Sequence, residues 1–244
     1  MNVIVSKILV INLQRSKKRK AFVKNVFKND NLFFIEGVDG RVWEDSGRTD
    51  LLYPVLSYEA FQYLVHKDVL ISNYDMAMQL MPCEIGCALG HYEAWKYIID
   101  NKLEFAIVLE DDIMPTNRIG YSLKHTIEHM DMPQDMDVMF LHGEDTPVSG
   151  IRLDDKNRVI KGFCNYGYII TYTGAKRAIE AQFPMIAPVD RQWWQRAFTG
   201  FDAGLKNMDK LSKTGYAYAQ KKGLVQPHLG LRTTMYRKAE QWRQ

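Results

Sequence analysis

The chain has 244 residues, 46% of them hydrophobic and 25% charged, an ordinary globular composition with enough length for a full core. A net charge of +3 is too mild to point to nucleic acid, and three cysteines without a metal-like CxxC pair show no disulfide framework and fit a reducing cytoplasm. No run approaches bilayer length, and the first residues carry neither a basic region nor a small-residue cleavage site. The expectation is therefore one cytoplasmic domain over residues 1–244, with any membrane contact peripheral.

Residues 7–13 read as a first strand (Ile8, Leu9, Val10, Ile11). The basic run Arg15-Ser-Lys-Lys-Arg-Lys20 follows, with Ala21, Phe22, Val23, Val26 and Phe27 at helical spacing. That is the opening of a βαβ unit. Residues 32–35 form a second strand ending at Glu36-Gly-Val-Asp-Gly40, where Asp39-Gly40 signals a turn. Residues 41–54 are polar and turn-rich, and 56–70 carry a helical pattern. Pro82 precedes a clear helix over 83–99, with Ile85, Ala88, Leu89, Tyr92, Trp95 and Ile98 on one stripe.

Residues 103–109 form an apolar strand that runs straight into Glu110, Asp111 and Asp112. A short continuous apolar run is the mark of a strand buried on both faces. A further strand over 137–141 ends in His142, Gly143, Glu144 and Asp145. Strands are expected at 159–164 and 168–171, and a helix at 174–183. Pro184 and Pro188 bound a loop. From Gly200 the pattern weakens. The tail, 232–244, sets Arg232, Arg237, Lys238 and Arg243 against Glu240, with Leu231 just before it and Met235, Tyr236 and Trp242 within it as apolar anchors for a membrane surface. Alternating strands and helices argue an α/β fold.

Ligands of open α/β sheets gather beyond the carboxyl ends of the strands. In an extended chain Glu110 and Asp112 share one face and Asp111 takes the other. Such a pair suits a hard cation, Mn²⁺ or Mg²⁺, able to hold a diphosphate. Asn12 and Arg15, at the end of the first strand, offer an amide for a base or ribose and a fork for phosphate. On the helix after Pro82, Glu84, Cys87, His91 and Trp95 lie along one edge. Glu84 and His91 are two turns apart, too far for easy joint ligation. Glu84 also complements the helix dipole, and a lone histidine such as His91 is more often a satisfied core residue than a ligand. Asp190, after a proline-bounded turn, is a candidate general base, with Asp145 and Asp202 as rivals. His228 is a possible metal ligand.

Taken together, these pieces resemble glycosyltransferase family 25. Six blocks stand in family order: Val10-Ile-Asn-Leu-Gln-Arg15; Asp39-Gly40; Cys83-Glu-Ile-Gly-Cys-Ala-Leu-Gly-His91 with Trp95; Ile107-Val-Leu-Glu-Asp-Asp112; Tyr168-Ile-Ile-Thr-Tyr-Thr-Gly-Ala175; and Pro188-Val-Asp190. The resemblance implies a GT-A type fold with a nucleotide-sugar-binding sheet and a C-terminal acceptor region. Residues 1–145 would be the donor half and 146–244 the acceptor half with the tail. It implies a UDP-hexose donor, galactose favoured over glucose, a lipooligosaccharide or oligosaccharide acceptor at the inner face of an inner membrane, and inversion at the anomeric carbon. Asn12, Leu13, Arg15, Asp39, Gly40, Glu84, His91, Glu110 and Asp111 would serve the donor, and Glu110, Asp112 and His228 the metal. Asp190 would be the catalytic base. Gly90 and Arg191-Gln-Trp-Trp194 depart from the family pattern.

Two other readings stand beside this one. A nucleotidyltransferase would share the sheet-edge metal site but needs a glycine-rich phosphate loop, and residues 12–20 contain no glycine. A noncatalytic carbohydrate-binding protein would use Trp193, Trp194 and Tyr216 as platforms, leaving the acidic triplet unexplained.

Overall fold

In the computed structural model, which describes residues 3–46, 54–57, 60, 80–146, 150–198 and 215–228, the first strand and the acidic strand lie side by side. Strand β1 (Lys7–Asn12) pairs in parallel with β2 (Leu32–Glu36) and, on its other side, with β3 (Phe105–Glu110). Helix α1 (Lys17–Val26) connects the parallel strands β1 and β2, completing a βαβ unit. A short helix α2 (Arg41–Ser46) follows, then the long α3 (Pro82–Asp100). Proline at the start of α3 costs no hydrogen bond there, and the Glu84 side chain takes the Met81 N–H at 2.8 Å.

After β3 come β4 (Ile113–Pro115), α4 (Leu123–Glu128), β5 (Met136–Phe140), β6 (Arg152–Leu153), β7 (Val159–Lys161), β8 (Gly167–Thr171), α5 (Tyr172–Gln182), α6 (Val189–Ala197), β9 (Tyr216–Ala219) and β10 (Val225–Pro227). The main sheet has the order β2-β1-β3-β8-β5-β9, with β8 antiparallel to both its neighbours. Two small ribbons, β10–β4 and β6–β7, flank it.

Side-chain alternation sorts each strand between two cores. Leu9, Ala106, Val108, Phe140, Tyr168 and Ile170 face Trp95, Ile98, Ala178 and Trp193 of α3, α5 and α6. Ile8, Val10, Ile107, Leu109, Met139 and Ile169 face Val23, Phe27, Leu123 and Ile127 around α1 and α4. Burial on both faces is why β3 reads as an unbroken apolar run. The result is the α/β sheet flanked by helices that the sequence led us to expect.

Several details differ. Residues 111–112 form a turn between β3 and β4, so strand alternation stops at Glu110 and Asp111 and Asp112 reach the same partner, Arg19. The expected strand at 159–164 stops at Lys161, and Cys164 turns the chain with φ of 73°. Pro188 caps a helix rather than a loop. On that helix Trp193 and Trp194 are fully buried, so they are core residues and not sugar platforms. No helix among the described residues is long and apolar enough to cross a membrane. The basic tail, and the helix expected over 56–70 apart from residues 56, 57 and 60, lie outside the described residues.

The loop after β2 is pressed onto the first turns of α3. A Cβ at Gly40 would meet the Pro82 carbonyl oxygen at 1.9 Å, and one at Gly86 would meet the Val38 carbonyl oxygen at 2.5 Å. Both contacts are to backbone, which cannot yield as a flexible side chain can. Gly40→Ala should therefore cost about 1–3 kcal/mol in urea unfolding, the span for overpacking a close contact. Gly120→Ala, whose Cβ would meet nothing nearer than 3.9 Å, should stay within about 0.5 kcal/mol of the parent. Equal midpoints for Gly40→Ala and the parent would show that the loop is not held by this contact.

Candidate active site

The carboxyl ends of β1, β2 and β3 open onto a cleft lined by Leu13, Arg15, Arg19, Asp39, Gly40, Arg41, Cys87, His91, Glu110, Asp111 and Asp112. Each of the three acids has its own support. The Asn12 amide donates to Asp111 at 2.6 Å, and Arg19 donates to the same carboxylate at 2.8 Å. The other Arg19 nitrogen sits 3.1 Å from Asp112. Glu110 receives His91 Nε2 at 3.4 Å.

Behind His91 runs a buried chain of donors. Trp95 Nε1 donates to the Tyr168 hydroxyl at 2.8 Å, and that hydroxyl lies 2.9 Å from His91 Nδ1. An indole N–H can only donate, so the Tyr168 oxygen accepts from Trp95 and keeps one proton and one lone pair with which to meet Nδ1, while Nε2 faces Glu110. Trp95 and Tyr168 thereby brace His91 and, through it, Glu110.

Three carboxylates face one guanidinium here. Burial, then Glu110, raise the Asp112 carboxyl above its usual range while Arg19 pulls against them. Asp111 is raised by burial, with Arg19 and Asn12 opposing. A surplus of hard oxygen donors fits Mn²⁺ or Mg²⁺, which use one or two carboxylates and complete their shells with phosphate oxygens and water. Asp39 behaves oppositely: burial pushes its carboxyl up, but hydrogen bonds from Arg15 and Arg41 outweigh this and hold it below the ordinary value.

A second cleft adjoins the first and shares Cys83, Cys87 and Glu110 with it. Its other walls include Met81, Glu84, Cys164, Asn165, Tyr166 and Asp190. Asp190 stands in the first turn of α6 and accepts the Cys164 N–H at 3.3 Å. Burial raises its carboxyl, the Cys164 N–H and Arg191 oppose the rise, and Glu110 nearby adds to it. Burial pushes Glu84 up to about 7, with Asp190 adding to the rise.

The sequence-expected residues thus divide. Leu13, Arg15, Asp39, Gly40, His91, Glu110, Asp111 and Asp112 meet at the first cleft, and Asn12 braces it through Asp111. Glu84 joins Asp190 at the second cleft instead of the donor residues. His228 donates its backbone N–H to the Asp112 carbonyl at 2.8 Å, and its ring lies edge-on to Phe22 at 4.6 Å. Among the described residues, the group of three ligand atoms gathered within 4.8 Å of one another is Cys87, His91 and Glu110, without Asp112 or His228. Of the rival bases, Asp145 takes the Gly223 N–H at 2.8 Å, and Asp202 lies outside the described residues. Sequence reasoning missed Arg19, Arg41 and Tyr168. Arg19 was the readable one, a basic residue in the first turn of α1, just beyond the carboxyl end of β1.

This is an α/β protein whose ligand cleft lies at the carboxyl ends of parallel strands, walled by acids and guanidinium groups. Residues 5–193 match the model of glycosyltransferase family 25 (LPS biosynthesis protein), and the chain belongs to that family. Procollagen galactosyltransferase 2 of Homo sapiens is 27% identical over 192 residues, covering 75% of this chain and 29% of that protein. A glycosyltransferase 25 family member of Aedes aegypti is 28% identical over 201 residues, covering 76% of this chain and 30% of that protein. The chain spans about three tenths of the length of these relatives. A crystal structure of a glycosyltransferase involved in the glycosylation of the major capsid of PBCV-1 aligns over 97% of this chain and 98% of its own, with a TM-score of 0.41 and 10% identity.

Glu84 has a measurable signature. Its pKa rises from 4.5 to about 7 on folding, so between those values the folded chain holds a proton that the unfolded chain has lost. Its contribution to stability is complete below pH 4.5 and declines as the pH rises through 7. Glu84→Gln keeps an oxygen for the Met81 N–H and removes the titration. Its urea midpoint relative to the parent should therefore climb between pH 4.5 and 7 and level off above. A difference that does not change with pH would mean that Glu84 is not perturbed.

Proposed function

We propose that this chain is an inverting glycosyltransferase that moves a hexose, galactose in preference to glucose, from a UDP-sugar to a lipooligosaccharide or related oligosaccharide. The observation that carries the reading is the pair of clefts meeting at Glu110, one lined by acids and guanidinium groups and the other by Asp190, in a family 25 chain. The names of the relatives favour galactose, and the family description favours a lipopolysaccharide acceptor.

In this reading the first cleft takes the nucleotide diphosphate, with Arg15, Arg19 and Arg41 as forked partners for phosphate oxygens. Mn²⁺ or Mg²⁺ held by Asp112 and Glu110, with His228 close to Asp112, would neutralise the charge that develops on the leaving diphosphate. The acceptor hydroxyl lies in the second cleft and gives its proton to Asp190. Its oxygen forms a bond to the anomeric carbon as the bond from that carbon to the diphosphate oxygen breaks on the opposite face. Configuration therefore inverts. A carboxyl raised by burial is a stronger base than one in water, which suits Asp190 to the proton transfer. Glu110, at the junction, places negative charge beside the oxocarbenium-like centre. Acceptors of this kind are built on a membrane, and the basic tail 232–244 would hold the enzyme to the anionic inner face.

Asp112→Ala should nearly abolish transfer and weaken UDP binding chiefly when Mn²⁺ is present, read by calorimetry with and without the metal. Unchanged UDP affinity and activity would remove Asp112 from the metal site.

Asp190→Asn should lower turnover about 10²–10⁴-fold, the span for loss of a general base, with donor affinity almost unchanged. Turnover within a few-fold of the parent would assign the base elsewhere.

A further inference from the structure

All three cysteines of the chain line the second cleft, and one of them faces two other ligating groups. Cys87 Sγ, a ring nitrogen of His91 and a carboxylate oxygen of Glu110 lie within 4.8 Å of one another. We propose that Cys87, His91 and Glu110 form a binding site for a borderline-soft divalent cation of the Zn²⁺ class, sharing Glu110 with the hard-cation pair Glu110 and Asp112 but differing from it in donor chemistry.

The donor set carries the argument. Thiolate, imidazole and carboxylate are the three protein ligands of Zn²⁺, whereas Mn²⁺ and Mg²⁺ favour oxygen. Cys87 and His91 stand four residues apart on α3 and so project from the same side of the helix, and Glu110 meets them from the end of β3. His91 is 1% exposed and already oriented from behind. A metal-bound imidazole ordinarily gives its other N–H to a fixed acceptor, and the Tyr168 hydroxyl stands 2.9 Å from Nδ1. The cation would displace the Cys87 S–H proton to solvent and take the Nε2 lone pair, with the imidazole proton on Nδ1 donated to Tyr168. Three protein ligands leave the fourth tetrahedral position open toward the clefts. Occupancy takes Glu110 out of the proposed transfer chemistry and fills the junction between the two clefts, so the cation acts as an inhibitor. That consequence rests on the proposed function; the site itself does not.

A second metal-binding candidate sets the control. His125 and His129, on and just after α4 in the β4–β5 connection, stack at 4.1 Å and would bind Zn²⁺ weakly as a surface pair. The test is titration of the full chain with Co²⁺ under reducing conditions, followed by displacement with Zn²⁺. The parent should show a thiolate-to-cobalt charge-transfer band that saturates at one equivalent and is abolished by Zn²⁺. The band should be absent in Cys87→Ser and present in Cys83→Ser and His129→Ala. Tyr168→Phe should weaken Zn²⁺ binding about 10–100-fold, the usual cost of losing an outer partner. Glu110→Gln, conservative in shape and less buried than His91, should weaken it as well. No band in the parent, or a band that survives in Cys87→Ser, overturns the site. Because neither donor nor acceptor is needed, the result stands apart from the transferase reading. With a UDP-sugar and acceptor added, Zn²⁺ should inhibit the parent at concentrations that leave the Cys87→Ser rate at its own zinc-free value.

Discussion

Three consecutive carboxylates at the end of a fully buried strand are the constraint on which the site is built. Charge in such a place is costly unless each group is paired and hydrogen-bonded. The chain meets that demand with three different partners. Glu110 has the imidazole of His91, Asp111 has the Asn12 amide together with Arg19, and Asp112 has the second nitrogen of Arg19. Each partner comes from another element, so β1, α1 and α3 are tied to the end of β3, and β8 joins them through Tyr168 behind His91. Burial raises the Asp111 and Asp112 carboxyls, and the neighbouring carboxylates add to the rise that Arg19 opposes.

Much of this could be read in the sequence, because the site lies where short patterns are informative. The apolar run into Glu110-Asp-Asp112 marks a buried strand and its functional end together. The stripe Ile85, Ala88, Leu89, Tyr92, Trp95 and Ile98 identifies α3; four of its members are buried, while Leu89 and Tyr92 are only partly so, and Gly86, Gly90, His91 and Ala94 are buried beside them. The glycines at 40 and 86 were legible only as turn and helix residues. Their role, letting the loop after β2 rest on α3, depends on an approach between segments distant in the chain.

What was not legible depended on long-range pairing or on weak local periodicity. Strand β9, Tyr216-Ala-Tyr-Ala219, has no apolar run, yet it completes the sheet beside β5. Helix α6 was hidden by Pro188, read as a loop boundary when it is an N-cap, and by Arg191, Gln192, Gln195 and Arg196. Gln192 is nonetheless fully buried, its amide bonded to the carbonyls of Gln182 and Pro184 at 2.7 and 2.8 Å and its oxygen to the Ile186 and Ala187 N–H groups. A polar residue that satisfies backbone groups in the core looks like a surface residue in a hydropathy pattern. The turn at Asp111-Asp112 likewise defeated the alternation argument, which holds only while the chain stays extended.

The direction of β8 decides which residues border the site. Gly167 pairs with Leu109 and Thr171 with Phe105, so the beginning of β8, not its end, lies beside the carboxyl end of β3. The residues that precede β8 are thereby brought to the ligand edge: Tyr166 accepts the Glu110 N–H on its carbonyl at 2.8 Å, and Cys164 donates its N–H to Asp190. A parallel β8 would have delivered Thr171 and the start of α5 to that edge and carried residues 164–166 to the opposite one. The second cleft, with Asp190 at one wall and Glu110 at the other, therefore follows from one antiparallel strand set into an otherwise parallel half-sheet. Because the same strand supplies Tyr168 to the back of His91, the orientation of Glu110 and the presence of a cleft beside it have a single structural origin.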